Sequence, residues 1–316
     1  MIKLRKSFIC GIKGTKLSKK EFKFIKKYKP WGIILFQRNI KNIAQTNLLT
    51  KSIRKIFQDS QYPILIDEEG GRVSRLKNIV DSSIFTGNFF GNLYIKNLDK
   101  FNLYHKVYID QISYVLNLIG ANINTVPVLD LRRRFTHKII GDRSYSFDKE
   151  IINKIGNLTI KAFNQNRIGT IIKHIPGHGL SKKDTHLKLP YISNKLKYLE
   201  NNDFFLFKNK KSILAMTAHI TYEAIDKHNC ITHSKKGIKY IRHKIGFKNL
   251  ILSDDISMKA LKYTFVENVN RAYNSGCNLV LHCNGNFNEM LKLAKISPKV
   301  NSFIIKKTSE IYKLLR

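Results

Sequence analysis

The chain has 316 residues, 43% of them hydrophobic and 11% aromatic, which is enough for a sizeable core and excludes global disorder. Its formal net charge of +35 is spread from Lys3 to Arg316 rather than gathered in a tail or stripe. With no zinc knuckle, RNP-like aromatic strand or helix-turn-helix signature, nucleic acid is not the expected partner.

From the amino terminus, Met1–Lys6 is basic, but the apolar run behind it is too short for a signal peptide. No run of ~18 apolar residues could span a membrane. The four cysteines, Cys10, Cys230, Cys277 and Cys283, form no C-x-x-C pair. A reducing cytoplasm fits that pattern. Only 6 Pro and 17 Gly leave little room for a linker, so one domain over residues 1–316 is expected.

Short apolar runs bounded by turn or charged residues then follow in a regular series. They are Phe8–Ile12, Trp31–Phe36, Ile64–Asp67, Ile123–Leu129, Thr170–Lys173, Ile213–Ala218, Leu250–Ser253 and Leu279–Cys283. Helical spacing recurs between them, at Asn42–Phe57, Asp148–Asn164 and Ala260–Asn274. Alternating strands and helices predict a parallel sheet with crossover helices. Eight such units predict a closed (β/α)₈ barrel of the TIM type, and no G-x-G-x-x-G follows the first strand to suggest a dinucleotide fold.

Polar residues of unusual type fall at the strand ends. Asp67, Lys173-His174, His219 and Asp254-Asp255 all lie at or just past a carboxyl end, the face where barrel enzymes build their sites. Strand-terminating turns would account for one or two of these positions, but not for a lysine, two histidines and several carboxylates together.

Three segments carry chemistry. Asp67-Glu68-Glu69-Gly70-Gly71-Arg72-Val73-Ser74-Arg75 places acids beside arginines around paired glycines, able to bind sugar hydroxyls or to keep one another ionised. Read alone, it is better taken as a solvated charged turn. Lys173-His174-Ile175-Pro176-Gly177-His178-Gly179, with Asp184-Thr185-His186 beyond it, puts three histidines on a glycine-rich loop. Asp184 stands two residues from His186, near enough for a carboxylate to orient the ring as a general acid/base requires. In Leu250–Met258, strand alternation sends the adjacent Asp254 and Asp255 to different faces. One of them can enter the barrel mouth as a glycosidase nucleophile, and a pair of helix-capping acids is the plain alternative.

These segments resemble the bacterial β-N-acetylglucosaminidases of glycoside hydrolase family 3. The likeness runs in order through Gly32–Asn39, Asp67–Arg75, Val126–Asp130, Ile140–Ser144, Lys173–His186, Met216–His219, Ser253–Met258 and Ala272–Asn284. It implies a single barrel, Asp254 as nucleophile, His186 as acid/base and Asp184 as its orienting partner. Asp67, Arg75, Arg143, Lys173 and His174 would hold a terminal N-acetylglucosamine (GlcNAc). The implied substrate is a small GlcNAc-containing cell-wall fragment, a muropeptide, cleaved with retention by a monomeric cytoplasmic enzyme that needs neither metal nor organic cofactor. The sequence departs from the pattern at Glu68, where relatives usually carry Gln, at Arg132-Arg133-Arg134, and at Asn278, where relatives often have Asp.

Two alternatives stay on the same fold. His174, His178, His219 and Asp254 could ligate zinc, although Cys10-Gly11-Ile12-Lys13-Gly14 lacks the His-x-His pair that such barrels present after the first strand. Phosphate could also replace water as the glycosyl acceptor, because a histidine acid/base repels it less than a carboxylate would.

Overall fold

The computed structural model describes residues 2–182 and 189–315. Its strands are β1 (Lys6–Gly11), β2 (Pro30–Leu35), β3 (Ile64–Ile66), β4 (Ile123–Asn124), β5 (Gly169–Ile175), β6 (Tyr191–Ile192), β7 (Leu214–Thr217), β8 (Thr221–Tyr222), β9 (Leu250–Asp255) and β10 (Leu279–His282). Eight of them close a barrel in the order β1-β10-β9-β7-β5-β4-β3-β2, with every neighbouring pair parallel. The other two, β6 and β8, form a small parallel sheet of their own, which no apolar run in the sequence marks. The fold is a (β/α)₈ barrel.

Alternation along each strand divides the apolar residues between two cores. Ile9, Ile34, Leu65, Ile123, Ile171, Leu214, Met216, Leu250, Leu252, Leu279 and Leu281 fill the barrel interior. Their neighbours Phe8, Ile33, Ile64, Ile172, Ala215, Ile251 and Val280 face the surrounding helices. The interior also packs Val300, Ile304 and Ile311, the last two from the helix Ser302–Leu314. Trp31 Nε1 donates to Thr308 Oγ1 of that helix at 2.8 Å, so the ring is buried without losing its hydrogen bond.

Three boundaries differ from those expected of the sequence, each for a local reason. The predicted strand Ile123–Leu129 pairs regularly only at Ile123 and Asn124. Pro127 has no amide to give the ladder, and pairing returns as a single bridge between Val128 and Lys173. β5 continues past Lys173 to Ile175, which puts Lys173 and His174 on the strand itself. The predicted helix Ala260–Asn274 begins at Phe265, where Thr264 and Glu267 form a reciprocal capping box.

Candidate active site

The alternation that fills the barrel also selects what stands at its mouth. Two residues beyond the inward-facing Ile34, Leu65, Ile123, Ile171, Leu252 and Leu281 come Phe36, Asp67, Thr125, Lys173, Asp254 and Cys283. All six line one cavity of about 350 Å³ at the carboxyl ends of the strands. Arg72, Arg75, Arg143, His174 and His178 complete its polar wall. The volume lies within the usual range for small-ligand sites.

One side of this cavity is a chain of alternating charge. Arg75 Nη2 bonds Asp67 Oδ2 at 2.6 Å, and Lys173 Nζ bonds Asp67 Oδ1 at 2.6 Å and Glu69 Oε1 at 2.5 Å. Arg143 grips both oxygens of Glu69 through Nε and Nη2, each at 2.7 Å. Thr125 Oγ1 donates to Asp67 Oδ1 at 2.5 Å and accepts from Lys173 Nζ at 2.9 Å. Burial opposes ionisation of Asp67, but Lys173, Arg75 and the hydrogen bonds outweigh it and hold the carboxyl well below its ordinary range. Glu69 is likewise penalised by burial and drawn down on balance by Arg143 and Lys173. Sequence reasoning did not select Glu69 or Thr125; the signal for Glu69 was its place as third acid of the run leaving β3.

Glu68, between these two acids, turns away from the cavity. Its carboxylate is buried and accepts from the Arg75 amide at 2.5 Å, the Leu76 amide at 3.0 Å, Ser74 Oγ at 3.1 Å and Ser82 Oγ at 2.8 Å. Burial still pushes its pKa up. A glutamine can make the same backbone contacts, so the Glu-for-Gln departure is a change of turn packing rather than of the cavity.

His174 is fixed by Asp130. Its Nδ1 lies 2.7 Å from Asp130 Oδ2, and its amide donates to Oδ1 at 3.3 Å. The peptide joining Lys173 to His174 is cis, and both side chains line the cavity. His178 packs against the His174 ring at 5.4 Å between centroids, and burial, with His174 beside it, pushes its pKa down to about 4.

Asp254 stands on β9, four strands from β3 in either direction around the ring, and so faces Asp67 across the mouth. Burial would raise its pKa, but His174, His219, the Asp255 amide and Lys173 act the other way and leave it lowered, hence ionised. The Asp255 amide donates to Asp254 Oδ1 at 2.7 Å. Asp255 also touches the cavity, so alternation did not keep the second acid out. It serves the turn instead, accepting from Ser257 N at 3.1 Å, Ser257 Oγ at 2.8 Å and Cys283 N at 3.2 Å. Burial raises its pKa, opposite to Asp254.

The zinc alternative fits this arrangement poorly. His219 has both nitrogens engaged, Nδ1 with Thr232 Oγ1 at 2.7 Å and Nε2 with the Asp255 carbonyl at 3.1 Å. His174, with Nδ1 held by Asp130, keeps only Nε2 as a possible ligand atom. Among the described residues no group of three or more His, Cys, Asp or Glu side chains is arranged to hold a metal ion.

Asp184 and His186 lie outside the described residues. The stem leading toward them is well held. Thr136 Oγ1 donates to the Gly179 carbonyl at 2.5 Å and the His137 amide to the Ser181 carbonyl at 2.9 Å. A Cβ at Gly179 would come within 1.7 Å of the Leu131 carbonyl oxygen, so only glycine fits. Two arginines of the unusual Arg132–Arg134 run have a place here. Arg133 pairs with the buried Asp203 through Nη1 at 3.0 Å and Nη2 at 2.5 Å, and Arg132 bonds Asn88 Oδ1 at 2.9 Å. Asn278, the third departure, caps the entry to β9 by accepting from the Ile251 amide at 2.9 Å.

Comparison with known proteins adds independent findings. The family model described as the glycosyl hydrolase family 3 N terminal domain matches residues 3–309. A β-hexosaminidase of Haemophilus ducreyi is 32% identical over 285 residues, covering 87% of this chain and 80% of that protein. β-Hexosaminidase A of Pseudoalteromonas piscicida is 29% identical over 295 residues, and there the match covers 86% of this chain but only 49% of the longer relative. Among solved structures, native NagZ from Neisseria gonorrhoeae superposes with a TM-score of 0.84 at 26% identity, covering 97% of this chain and 89% of that one. A family 3 β-N-acetylglucosaminidase from Paenibacillus gives 0.83 at 25% identity, covering 99% and 61%.

Proposed function

Because the chain belongs to glycosyl hydrolase family 3, we propose that it is a retaining exo-β-N-acetylglucosaminidase that removes terminal GlcNAc from cell-wall muropeptides. The observation that carries this reading is Asp254, an ionised carboxylate facing a donor-rich wall across a cavity of sugar size. In a double displacement, Asp254 attacks the anomeric carbon while an acid protonates the departing oxygen, and the same group then deprotonates water to release the sugar.

His186 takes the acid/base role, with Asp184 as its orienting partner. A histidine suits both halves of the cycle because its unperturbed pKa is ~6.5. Its neutral form also leaves room for an aglycone bearing carboxylates. Arg75, Asp67, Lys173, Arg143 and His174 bind the hydroxyl and acetamido groups. The ion pairs that join Arg75, Asp67, Lys173, Glu69 and Arg143, with the Asp130 bond to His174, keep donors and acceptors aimed before the sugar arrives, so little reorganisation is needed in the transition state. A cytoplasmic monomer is the setting that the family resemblance implies for it. Separately, no helix among the described residues is long and apolar enough to cross a membrane.

The test is hydrolysis of an aryl β-N-acetylglucosaminide by wild type and by Asp254→Ala, each with and without phosphate. Wild-type turnover in phosphate-free buffer that Asp254→Ala lacks is the expected result. No wild-type turnover would remove the glycosidase reading, full activity of the variant would remove the nucleophile, and strict dependence on phosphate would make the enzyme a phosphorylase.

A further inference from the structure

The opposite end of the barrel holds a polar cavity of about 130 Å³ that the proposed reaction does not use. It lies where the chain enters β3, β4 and β5, and Arg54, Ser60, Gln61, Asn117, Asn122 and Arg167 supply its polar lining. Arg54 comes from the last turn of the helix Ile43–Phe57, and Arg167 from the exposed turn before β5, at φ +60.

The two guanidiniums are the charged groups of this lining. Among the described residues neither has an ion-pair or side-chain hydrogen-bond partner, and Arg54 Nε is shielded from solvent with no acceptor. The carboxylate that acts on Arg54, Asp59, is already committed. Its Oδ2 accepts from Arg5 and from Tyr312 at 2.6 Å, and its Oδ1 from the Gln61 amide at 2.9 Å. The amide groups of the lining are partly spent as well. Asn122 Nδ2 donates to the Gln61 and Tyr62 carbonyls, both at 3.2 Å, Asn117 Nδ2 to the Asn166 carbonyl at 3.3 Å, and Gln61 Nε2 to the Tyr312 carbonyl at 3.1 Å. Among the described residues the open donors are therefore two cationic forks, the Ser60 hydroxyl and one N–H each of Asn117 and Gln61.

A shielded guanidinium N–H without an acceptor is costly, and such a group calls for a ligand or water that completes it. Water would supply acceptors but no charge. At roughly 30 Å³ per water the cavity has space for about four, which is room enough for one tetrahedral oxyanion. Two guanidiniums exclude a cation and match an anion that offers several oxygens in fork geometry. We propose that this cavity is a binding site for the phosphate group, taken either as the free ion or as a phosphomonoester, held by Arg54 and Arg167. Chemistry in barrel enzymes sits at the other face, so the ligand here bridges the helix Ile43–Phe57 to the starts of β4 and β5 and stabilises the fold by linkage.

The experiment is thermal unfolding of the full chain in rising inorganic phosphate, and separately in glucose 6-phosphate, at constant ionic strength held with chloride. Wild type should show a saturable rise in Tm. Arg54→Met and Arg167→Asn should each weaken half-saturation at least tenfold while leaving aryl-glycoside turnover unchanged; asparagine tolerates the positive φ at position 167. If Arg54→Met fails to fold, the exposed Arg167→Asn carries the test alone. A tenfold tighter response to glucose 6-phosphate assigns the site to a phosphomonoester, and an equal or weaker one to free phosphate. No saturable rise, or an unchanged response in both variants, overturns the proposal.

Discussion

Glu69→Gln removes one charge and almost no volume from the centre of the ion-pair chain. Glu69, Lys173 and Arg143 side chains are 5%, 3% and 11% exposed, so the charges left behind have little water to turn to. The amide retains one acceptor and aims its NH₂ at donors, whether Lys173 or Arg143. Breaking a buried pair from one side costs about 3–5 kcal/mol. Lys173 keeps Asp67 and Thr125 as partners, so the lower end, about 3 kcal/mol, is expected here. Urea unfolding at pH 7 reads this as a lower midpoint at unchanged slope. The pH dependence has a definite sign. Because the folded-state pKa of Glu69 is depressed, its contribution is complete above its unfolded value, ~4.3, and is lost as pH falls through the folded one. The gap between wild type and variant should therefore be full at pH 7 and shrink below about pH 4. A gap under about 1 kcal/mol at pH 7, or one that widens on acidification, would refute the reasoning.

Three other outcomes follow from the same geometry. His219→Phe deletes the bond to the Asp255 carbonyl beside the proposed nucleophile, so kcat on an aryl β-N-acetylglucosaminide should fall about 10- to 100-fold with a smaller change in KM; an unchanged kcat would show that His219 does not position Asp254. Thr308→Val strands the buried Trp31 N–H and should cost about 1–3 kcal/mol in urea unfolding without altering turnover. Dialysis against a strong chelator should leave turnover intact, since both ring nitrogens of His219 are engaged and no group of three or more ligating side chains is found among the described residues; loss of activity restored by added zinc would return the metal alternative.

The barrel is legible in the sequence because its signal is local. Each strand carries its own apolar run, and period-two alternation says which residues turn inward. The same parity continues past the strand ends, and it alone gathers Asp67, Lys173 and Asp254 at the mouth. What alternation misses is anything set by a partner distant in sequence. Asp130 lies 44 residues from His174, and Glu69 lies 74 from Arg143; neither pairing has a spacing that sequence can display. The extended reading of Ile123–Leu129 fails at Pro127, whose missing amide is visible but whose effect depends on the neighbouring strand. Asp255 reaches the cavity wall because the turn through Ser257 and Cys283 holds it there, a constraint that no strand pattern encodes.

The central claim is that Asp254 forms a covalent bond to the sugar. Wild type should be incubated with an activated, fluorinated β-N-acetylglucosaminide that forms the glycosyl-enzyme faster than water releases it, then digested and mapped by mass spectrometry. A single adduct on the peptide containing Asp254, absent from Asp254→Ala, is the expected result. An adduct on another carboxylate, or turnover of the reagent with inversion and no adduct, would contradict it.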